Sequence, residues 1–268
     1  MRQFIAHVRA LLDLLGILLI RDLDARYKGS VLGKLWPLVT QISQIALYTY
    51  VFGVILRVRV NIEGLPDTNL AFGIWLFAGL LPWLAFTGGL SQAANSVVGQ
   101  PNLVKKVVFP MSLLPIVPVL SSLVETSFGL LPLLALFALV THHIHPTVLL
   151  LPVVWMVQIL FTLGFAYIVA GLTVYVRDVP QTMGIILNIW FYLTPIVYPR
   201  TAIPGRLRTV VFSANPMVAF IDAYRNLILV GRFDQWEEFV RTAVFSIFVF
   251  TLGFSLYRRL TPAFADVL

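Results

Sequence analysis

The sequence contains no cysteine among its 268 residues, and charged side chains make up only 12% of it. The absence of thiols excludes disulfides, thiolate metal sites and cysteine nucleophiles. Soluble globular domains average about 25% charged residues, so this chain is too poor in charge for that class. The net charge of +7 comes without a basic run longer than two residues, which argues against nucleic-acid binding and favours basic residues that set membrane topology.

Apolar residues are in large excess. They make up 59% of the chain, and the mean hydropathy is +0.90. A transmembrane helix needs about 20 apolar residues, so six spans use roughly half of the chain. The composition predicts an all-α integral membrane protein with six transmembrane helices and no room for a separate soluble catalytic domain.

The pattern of residues 1–34 predicts an amphipathic helix that lies at the cytoplasmic membrane interface. Charged side chains interrupt the apolar density of this segment, which favours an interfacial helix over a span. A signal peptide is the alternative, because a basic start is followed by an apolar run, but Asp13 lies inside that run and no small-residue cleavage site follows. The apolar residues recur at helical spacing: Phe4, Val8, Leu11, Leu15 and Leu18.

Residues 35–268 form the predicted transmembrane domain. The fifth apolar stretch contains Pro195 and is bounded by Pro199, so we expect that helix to be short and to break near its end. The predicted spans are residues 35–56, 70–98, 113–140, 148–176, 181–199 and 240–257.

The region between the last two spans, residues 203–231, is too apolar for a plain loop and too interrupted for a full crossing. Asn215 and Pro216 suit the cap and first position of a helix, and Gly231 suits its end. Apolar pieces of about 10–14 residues are typical of re-entrant helices. The prediction is a helical hairpin that dips into the outer leaflet; two additional short spans are the alternative.

Lysine and arginine outside the spans indicate the orientation. With the N-terminus inside, the inner segments carry more basic residues than the outer ones, and the basic cluster of residues 1–34 dominates. The expected protein is a multi-pass protein of the cytoplasmic (inner) membrane with both termini in the cytoplasm.

Catalytic motifs are missing from the sequence. The segment Gly29 to Leu35 has three residues between its glycines rather than four, and leucine where a phosphate loop needs serine or threonine. The loop histidines His142, His143 and His145 lack a neighbouring carboxylate, so an ordinary exposed loop is favoured over a metal site. We therefore expect no metal, no cofactor and no catalytic residue in this chain.

Glu125 is the one ionisable residue in the middle of a predicted span. Such residues are costly in a membrane and often functional. A transport role and a structural role, with nearby serine and threonine hydroxyls solvating the carboxylate, stay open.

Four motifs together resemble the membrane permeases of ABC exporters for polysaccharides, the family that moves O-antigen, capsule and teichoic acid chains on lipid carriers. The resemblance covers essentially the whole chain. The motifs are residues 21–37 (RDLDARYKGSVLGKLWP), 175–179 (YVRDV), 195–199 (PIVYP) and 213–217 (SANPM).

The resemblance implies a homodimer that works with two copies of a separate cytoplasmic ABC ATPase, which would hold ATP and magnesium. It assigns the loop between spans two and three to ATPase coupling; a positive-inside anchoring loop is the alternative. The implied coupling residues are Gln100, Pro101, Asn102, Leu103, Lys105, Lys106, Arg177 and Asp178. The implied interfacial or gate residues are Arg21, Asp22, Arg26, Tyr27 and Lys28.

A pathway for sugars needs aromatic faces that stack on sugar rings without holding them tightly. Aromatic belts at the membrane interface are the alternative for these residues. The candidate pathway residues are Tyr48, Tyr50, Trp75, Trp83, Phe86, Glu125, Trp190, Phe191 and Tyr192.

The expected function is the transmembrane subunit of an ATP-driven exporter of lipid-linked polysaccharide, with membrane lipids around it and no nucleic-acid partner. An ABC exporter of drugs or small lipids is one alternative. An integral-membrane enzyme acting on a polyprenyl-linked substrate is another, although the acidic cluster that it needs is missing from the sequence.

Overall fold

The computed structural model describes residues 2–56, 63–66, 68, 70–106, 109–200, 205, 212 and 214–268. These residues form helices and connecting turns, and no strand occurs among them. The α-helices are α1 (Arg2–Arg26), α2 (Trp36–Tyr48), α3 (Ala71–Ala94), α4 (Pro101–Lys106), α5 (Leu113–Ser127), α6 (Leu130–Thr141), α7 (Leu151–Tyr175), α8 (Val179–Leu193), α9 (Pro216–Arg225), α10 (Trp236–Leu260) and α11 (Phe264–Val267). Short 3-10 turns (Gly33–Leu35, Pro146–Leu150, Thr261–Ala263) and π-helical turns (Thr49–Ile55, Asn226–Val230) extend several of them.

Five helical segments in the described residues are long and apolar enough to cross a membrane. They are Gly33–Ile55, Ala71–Ala94, Leu113–Thr141, Pro146–Tyr175 and Trp236–Val267. The predicted fifth span corresponds to α8, which is apolar but has only 15 residues. A helix of that length spans about 22 Å, against a hydrocarbon core of about 30 Å. The integral membrane class agrees with the prediction, whereas α8 falls short of a full crossing by length alone.

Helix α3 lies at the centre of the bundle. It is apolar all round, as expected for a helix that neighbours cover on every side, and it packs against α2, α5, α7, α8 and α9. Helices α7 and α10 approach each other closely at Gly164 and Gly253, since a Cβ on Gly253 would collide with the backbone of Gly164. Small residues of this kind let membrane helices approach closely.

Three predicted spans begin or end at different residues in the structure. The second ends at Ala94 rather than at residue 98. Helix α8 begins at Val179 and ends at Leu193, rather than covering residues 181–199, because the residue before Pro195 is disfavoured in the helical conformation. Helix α10 begins at Trp236 and runs to Leu260, beyond the expected 240–257. Acidic residues in its first turn and basic residues in its last turn suit the helix dipole.

The third span consists of two helices, α5 and α6. The chain turns at Phe128 and Gly129 between them. Pro132 lies in the first turn of α6 and lacks the N–H that a continuous helix would direct to the Phe128 carbonyl. The sequence predicts one uninterrupted span here, residues 113–140.

Helix α9 begins where the sequence predicts, and its π-helical continuation ends at the predicted residue. The Asn215 side chain accepts a hydrogen bond from the Met217 N–H at 3.1 Å, and the π-helical continuation ends at Gly231, whose φ is +78°. All residues from Met217 to Arg225 are buried. The other arm of the predicted hairpin, residues 203–211, lies outside the described residues except for Gly205.

Candidate functional site

A polar cluster joins the end of α1 to the middle of the third span. Arg26 donates to Glu125 at 2.8 Å and to Asp22 at 2.6 Å, and the Tyr27 hydroxyl donates to the other Glu125 oxygen at 2.6 Å. Less than a fifth of the Arg26 and Glu125 side chains is exposed. Burial, together with the hydrogen bond to Glu125, raises the pKa of Tyr27 above its ordinary value, so this hydroxyl stays a donor.

This cluster identifies the hydrogen-bond partners of Glu125, whose role the sequence alone does not decide. A buried charge is tolerated when it is paired and hydrogen-bonded, and Glu125 satisfies both conditions through residues of the interfacial segment. Helix α1 also packs along α5 over their neighbouring faces. The cluster therefore couples the position of α1 to that of the third span.

A groove of about 320 Å³ lies beside this cluster, between α1, the end of α3 and the start of α5. Its lining combines apolar side chains with amide, hydroxyl and charged groups. Its lining includes Leu18, Arg21, Asp22, Gln92, Asn95, Gln100 and Val117. Arg21 is exposed, as is Lys28 beyond the helix end.

The predicted coupling residues come together at one end of the molecule. Helix α4 has six residues, or one to two turns, and packs against the C-terminal helix α11. Pro101 and Arg177 line one cavity, together with Leu268. Pro101, Asn102, Lys105, Arg177 and Asp178 are exposed, and Gln100 and Leu103 are half-buried. Residues 107 and 108 of the predicted coupling loop lie outside the described residues.

Four of the aromatic pathway candidates belong to one packed cluster. Trp83 contacts Phe86, Trp190 and Phe191, with ring centroids 5.7 to 6.2 Å apart. Phe86 is fully buried and Trp83 is 5% exposed. Phe161 and Phe165 of α7 complete the cluster.

The remaining aromatic candidates lie elsewhere. Tyr50 and Tyr192 are 57% and 68% exposed, so their rings are available on the surface of the single chain. Tyr48 is half-buried and packs near Phe52. Trp75 lies beneath the guanidinium of Arg225, 3.5 Å from its ring centroid. The structure thus separates the predicted pathway residues into the packed Trp83 cluster, two exposed tyrosines, and the half-buried Tyr48 and Trp75.

A second polar network holds the break at the end of α8. Arg225 is buried and donates to the carbonyls of Pro195 and Ile196 at 2.8 Å each, and to the Trp75 carbonyl at 3.2 Å. Gly79 leaves room for the guanidinium, which a Cβ at that position would contact. A broken helix exposes carbonyls that must be satisfied away from water, and Arg225 satisfies two of them.

Comparison with known proteins places this geometry in a family. Residues 13–229, from α1 through α9, match the ABC-2 type transporter family. The chain belongs to the ABC-2 type transporter family. This ABC-2 permease is 30% identical over 265 residues to the O-antigen export system permease protein RfbA of Myxococcus xanthus, which covers 97% of this chain and 98% of the relative.

Two further relatives also match most of the chain, at lower identity. An O-antigen export system permease protein RfbA of Klebsiella pneumoniae is 28% identical over 265 residues, covering 96% of both chains. The polysialic acid transport protein KpsM of Escherichia coli is 20% identical over 244 residues, covering 90% of this chain and 91% of the relative. The resemblance to polysaccharide exporter permeases is confirmed, and this permease is a multi-pass membrane protein of a transporter family rather than an enzyme family.

The site residues predicted from the sequence of this ABC-2 permease do not include the charged residues that pair between the end of α8, α9 and α10. Arg200 pairs with Asp222 and donates to Glu238 at 3.1 Å, while Arg225 lies one helical turn after Asp222. The signal was present, because Asp222 and Arg225 are spaced by three residues in a helix that is otherwise apolar. Charges in that setting need partners.

Proposed function

We propose that this ABC-2 permease is the transmembrane subunit of an ATP-driven exporter that carries a lipid-linked polysaccharide across the cytoplasmic membrane. The observation that carries this proposal is the similarity to O-antigen export permeases over nearly the whole chain. The substrate class is a chain of sugars on a lipid carrier, of the O-antigen or capsule type.

The partners follow from the division of labour in such a transporter. The permease acts as a homodimer with two copies of a cytoplasmic ABC ATPase, which binds ATP and magnesium. Helix α4 and the Arg177 to Asp178 turn contact the ATPase, since they share one end of the molecule and present exposed polar side chains. Both termini lie in the cytoplasm, and the loop at residues 142–147 lies outside.

The cycle moves the interfacial helix together with the third span. Closure of the ATPases on ATP pushes α4, and the Arg26 to Glu125 contact carries the movement of α1 into the membrane. The lipid-linked end enters beside the groove between α1, α3 and α5, and the sugar chain slides past exposed aromatic rings. Tyr50 and Tyr192 are the candidates for those rings, and Tyr192 packs against Phe191 of the Trp83 cluster.

Reconstitution with the cognate ATPase tests the substrate class. The complex in proteoliposomes should hydrolyse ATP faster when lipid-linked polymer is added, and it should move the polymer to the opposite face. Stimulation by hydrophobic drugs or short lipids, without polymer transport, would favour a drug or lipid exporter. Chemical conversion of a polyprenyl substrate by the purified permease without ATPase would favour the enzyme alternative.

Charge reversal in α4 tests the coupling assignment. The double variant Lys105→Glu/Lys106→Glu should insert into the membrane but lose at least tenfold in polymer export. Glutamates on α4 would repel an acidic docking surface of the ATPase, which the lysines attract. The matched control is Arg258→Glu/Arg259→Glu, a basic pair at the end of α10. Equal export by the α4 variant and wild type, with the ATPase still bound, contradicts the assignment.

A further inference from the structure

Three of the four histidines of the chain lie within four residues, in the loop between α6 and the turn that precedes α7. His142 adopts a left-handed conformation with φ of +60°, which reverses the chain after Thr141. This turn brings the imidazole rings of His143 and His145 together, with centroids 4.6 Å apart. The export cycle proposed above gives these rings no role.

The two rings approach each other through their Nε2 atoms. The Nε2 atoms of His143 and His145 are 3.3 Å apart. Two imidazole nitrogens bound to one tetrahedral Zn²⁺ at about 2.0–2.1 Å are about 3.3–3.4 Å from each other. The separation in this loop, where one ring can donate a hydrogen bond to the other, also matches that of two ligands of a single ion.

The Nδ1 atom of His143 makes a contact that is common among metal-binding histidines. Its Nδ1 lies 2.8 Å from the Thr141 carbonyl oxygen. A carbonyl only accepts hydrogen bonds, so Nδ1 is the donor in this contact, and the tautomer that it favours leaves the Nε2 atom next to His145 available as a ligand. Orientation of one ring nitrogen by a backbone carbonyl is the usual second contact of a histidine ligand.

Packing fixes the position of both rings. Phe137 of α6 contacts the rings of His143 and His145 at 5.8 and 5.7 Å between centroids. His145 also lies against Gly231 at the end of the α9 segment, where an added Cβ would meet the imidazole. The nearby Thr147 hydroxyl donates to the Leu227 carbonyl at 2.6 Å, which ties the loop to the same segment.

We propose that His143 and His145 form a binding site for one divalent transition-metal ion of the Zn²⁺, Ni²⁺ or Cu²⁺ class on the outer loop. Imidazole nitrogen suits these ions and is a poor ligand for Mg²⁺ or Ca²⁺. Groups of three or more histidine or acidic side chains with metal-binding geometry are missing from the described residues, so water completes the coordination. The bound ion braces the loop against the end of α9.

Metal titration of the purified full-length permease in detergent tests the site. The protein should carry an affinity tag without histidine, so that the tag binds no metal. Isothermal titration with Zn²⁺ and with Ni²⁺ should show one ion per chain, and the melting temperature should rise with metal concentration because the ion binds the folded loop. Mg²⁺ should produce neither effect.

Matched variants separate this site from incidental binding. His143→Ala and His145→Ala should each weaken Zn²⁺ binding at least tenfold, because either change leaves a single imidazole. His142→Asn should bind as wild type, since asparagine tolerates a left-handed conformation, and so should His7→Gln. Cu²⁺ bound to wild type should show two nitrogen ligands by electron paramagnetic resonance. Unchanged binding in the His143 and His145 variants, or equal loss in His142→Asn, overturns the proposal.

Discussion

At the residue scale, buried charged side chains of this permease form hydrogen bonds and ion pairs between segments that are distant in sequence. Glu125 holds Arg26 and Tyr27, which lie 99 and 98 residues before it. Arg225 bonds carbonyls 29, 30 and 150 residues away. Each charge is costly to bury and is kept by several hydrogen bonds, so removal of one partner should cost more than an average surface substitution.

Glu125→Ala should lower the free energy of unfolding by about 1–3 kcal/mol, because it leaves Arg26 and Tyr27 without their acceptor in a poorly hydrated place. Glu125→Gln keeps an acceptor oxygen and should cost less. Thermal unfolding in detergent measures both effects. A double-mutant cycle of Arg26→Ala with Glu125→Ala should give a coupling energy of about 0.5–3 kcal/mol, and a coupling energy of zero would contradict the link between α1 and the third span.

Arg225→Lys should destabilise the permease strongly although the charge is kept. A lysine has no planar fork to bond two carbonyls at once and stacks poorly on Trp75. The matched control is Arg232→Lys, because Arg232 pairs with Glu63 and Asp234 at a 54% exposed position where such pairs contribute about 0–1 kcal/mol. Equal melting temperatures for the two variants would show that Arg225 contributes no more than a surface arginine.

At the element scale, helix ends that depend on adjacent capping residues can be predicted from the sequence, whereas contacts between distant segments cannot. Asn215 and Gly231 mark the ends of the α9 segment because caps depend on a few adjacent residues. The early end of α8 and the split of the third span depend on Pro195 and Pro132, whose effects shift helix ends by several residues. The partners of Glu125 were unpredictable because they come from long-range packing.

Asn215 connects α8 to α9 and carries a further prediction. Its Oδ1 accepts from Met217 and from the Trp190 indole, and its Nδ2 donates to Thr194 at 2.9 Å. Asn215→Ala should lose the cap and both bonds, whereas Asn215→Ser keeps only the cap. The cap alone is worth about 0.5–2 kcal/mol, so unfolding measurements should rank wild type above Ser and Ser above Ala; equal stability of Ser and Asn would exclude a role for the α8 contacts.

At the scale of the whole molecule, composition and hydropathy predict the membrane class, and the family motifs predict the transporter class. The substrate route cannot be predicted in the same way, because the sequence does not distinguish aromatic residues that fill the core from those that face a pathway. Phe86 is fully buried and Tyr192 is 68% exposed, yet both were candidates for the same role. Burial in the folded chain is what separates them, and it gives opposite expectations for the two side chains.

The last prediction compares these two aromatic residues. Phe86→Ala removes a buried ring and should cost about 3–5 kcal/mol of stability, so export fails together with folding. Tyr192→Ala removes an exposed ring and should change stability by less than about 0.5 kcal/mol, while polymer export falls and undelivered lipid-linked polymer accumulates inside. Tyr192→Phe keeps the flat face and should export nearly as wild type. Assembly with the ATPase, measured by co-purification, and dimer formation, measured by cross-linking, should be unchanged in both Tyr192 variants. Normal export by Tyr192→Ala would remove this ring from the pathway, and loss of the dimer would instead assign it to packing between two permease chains.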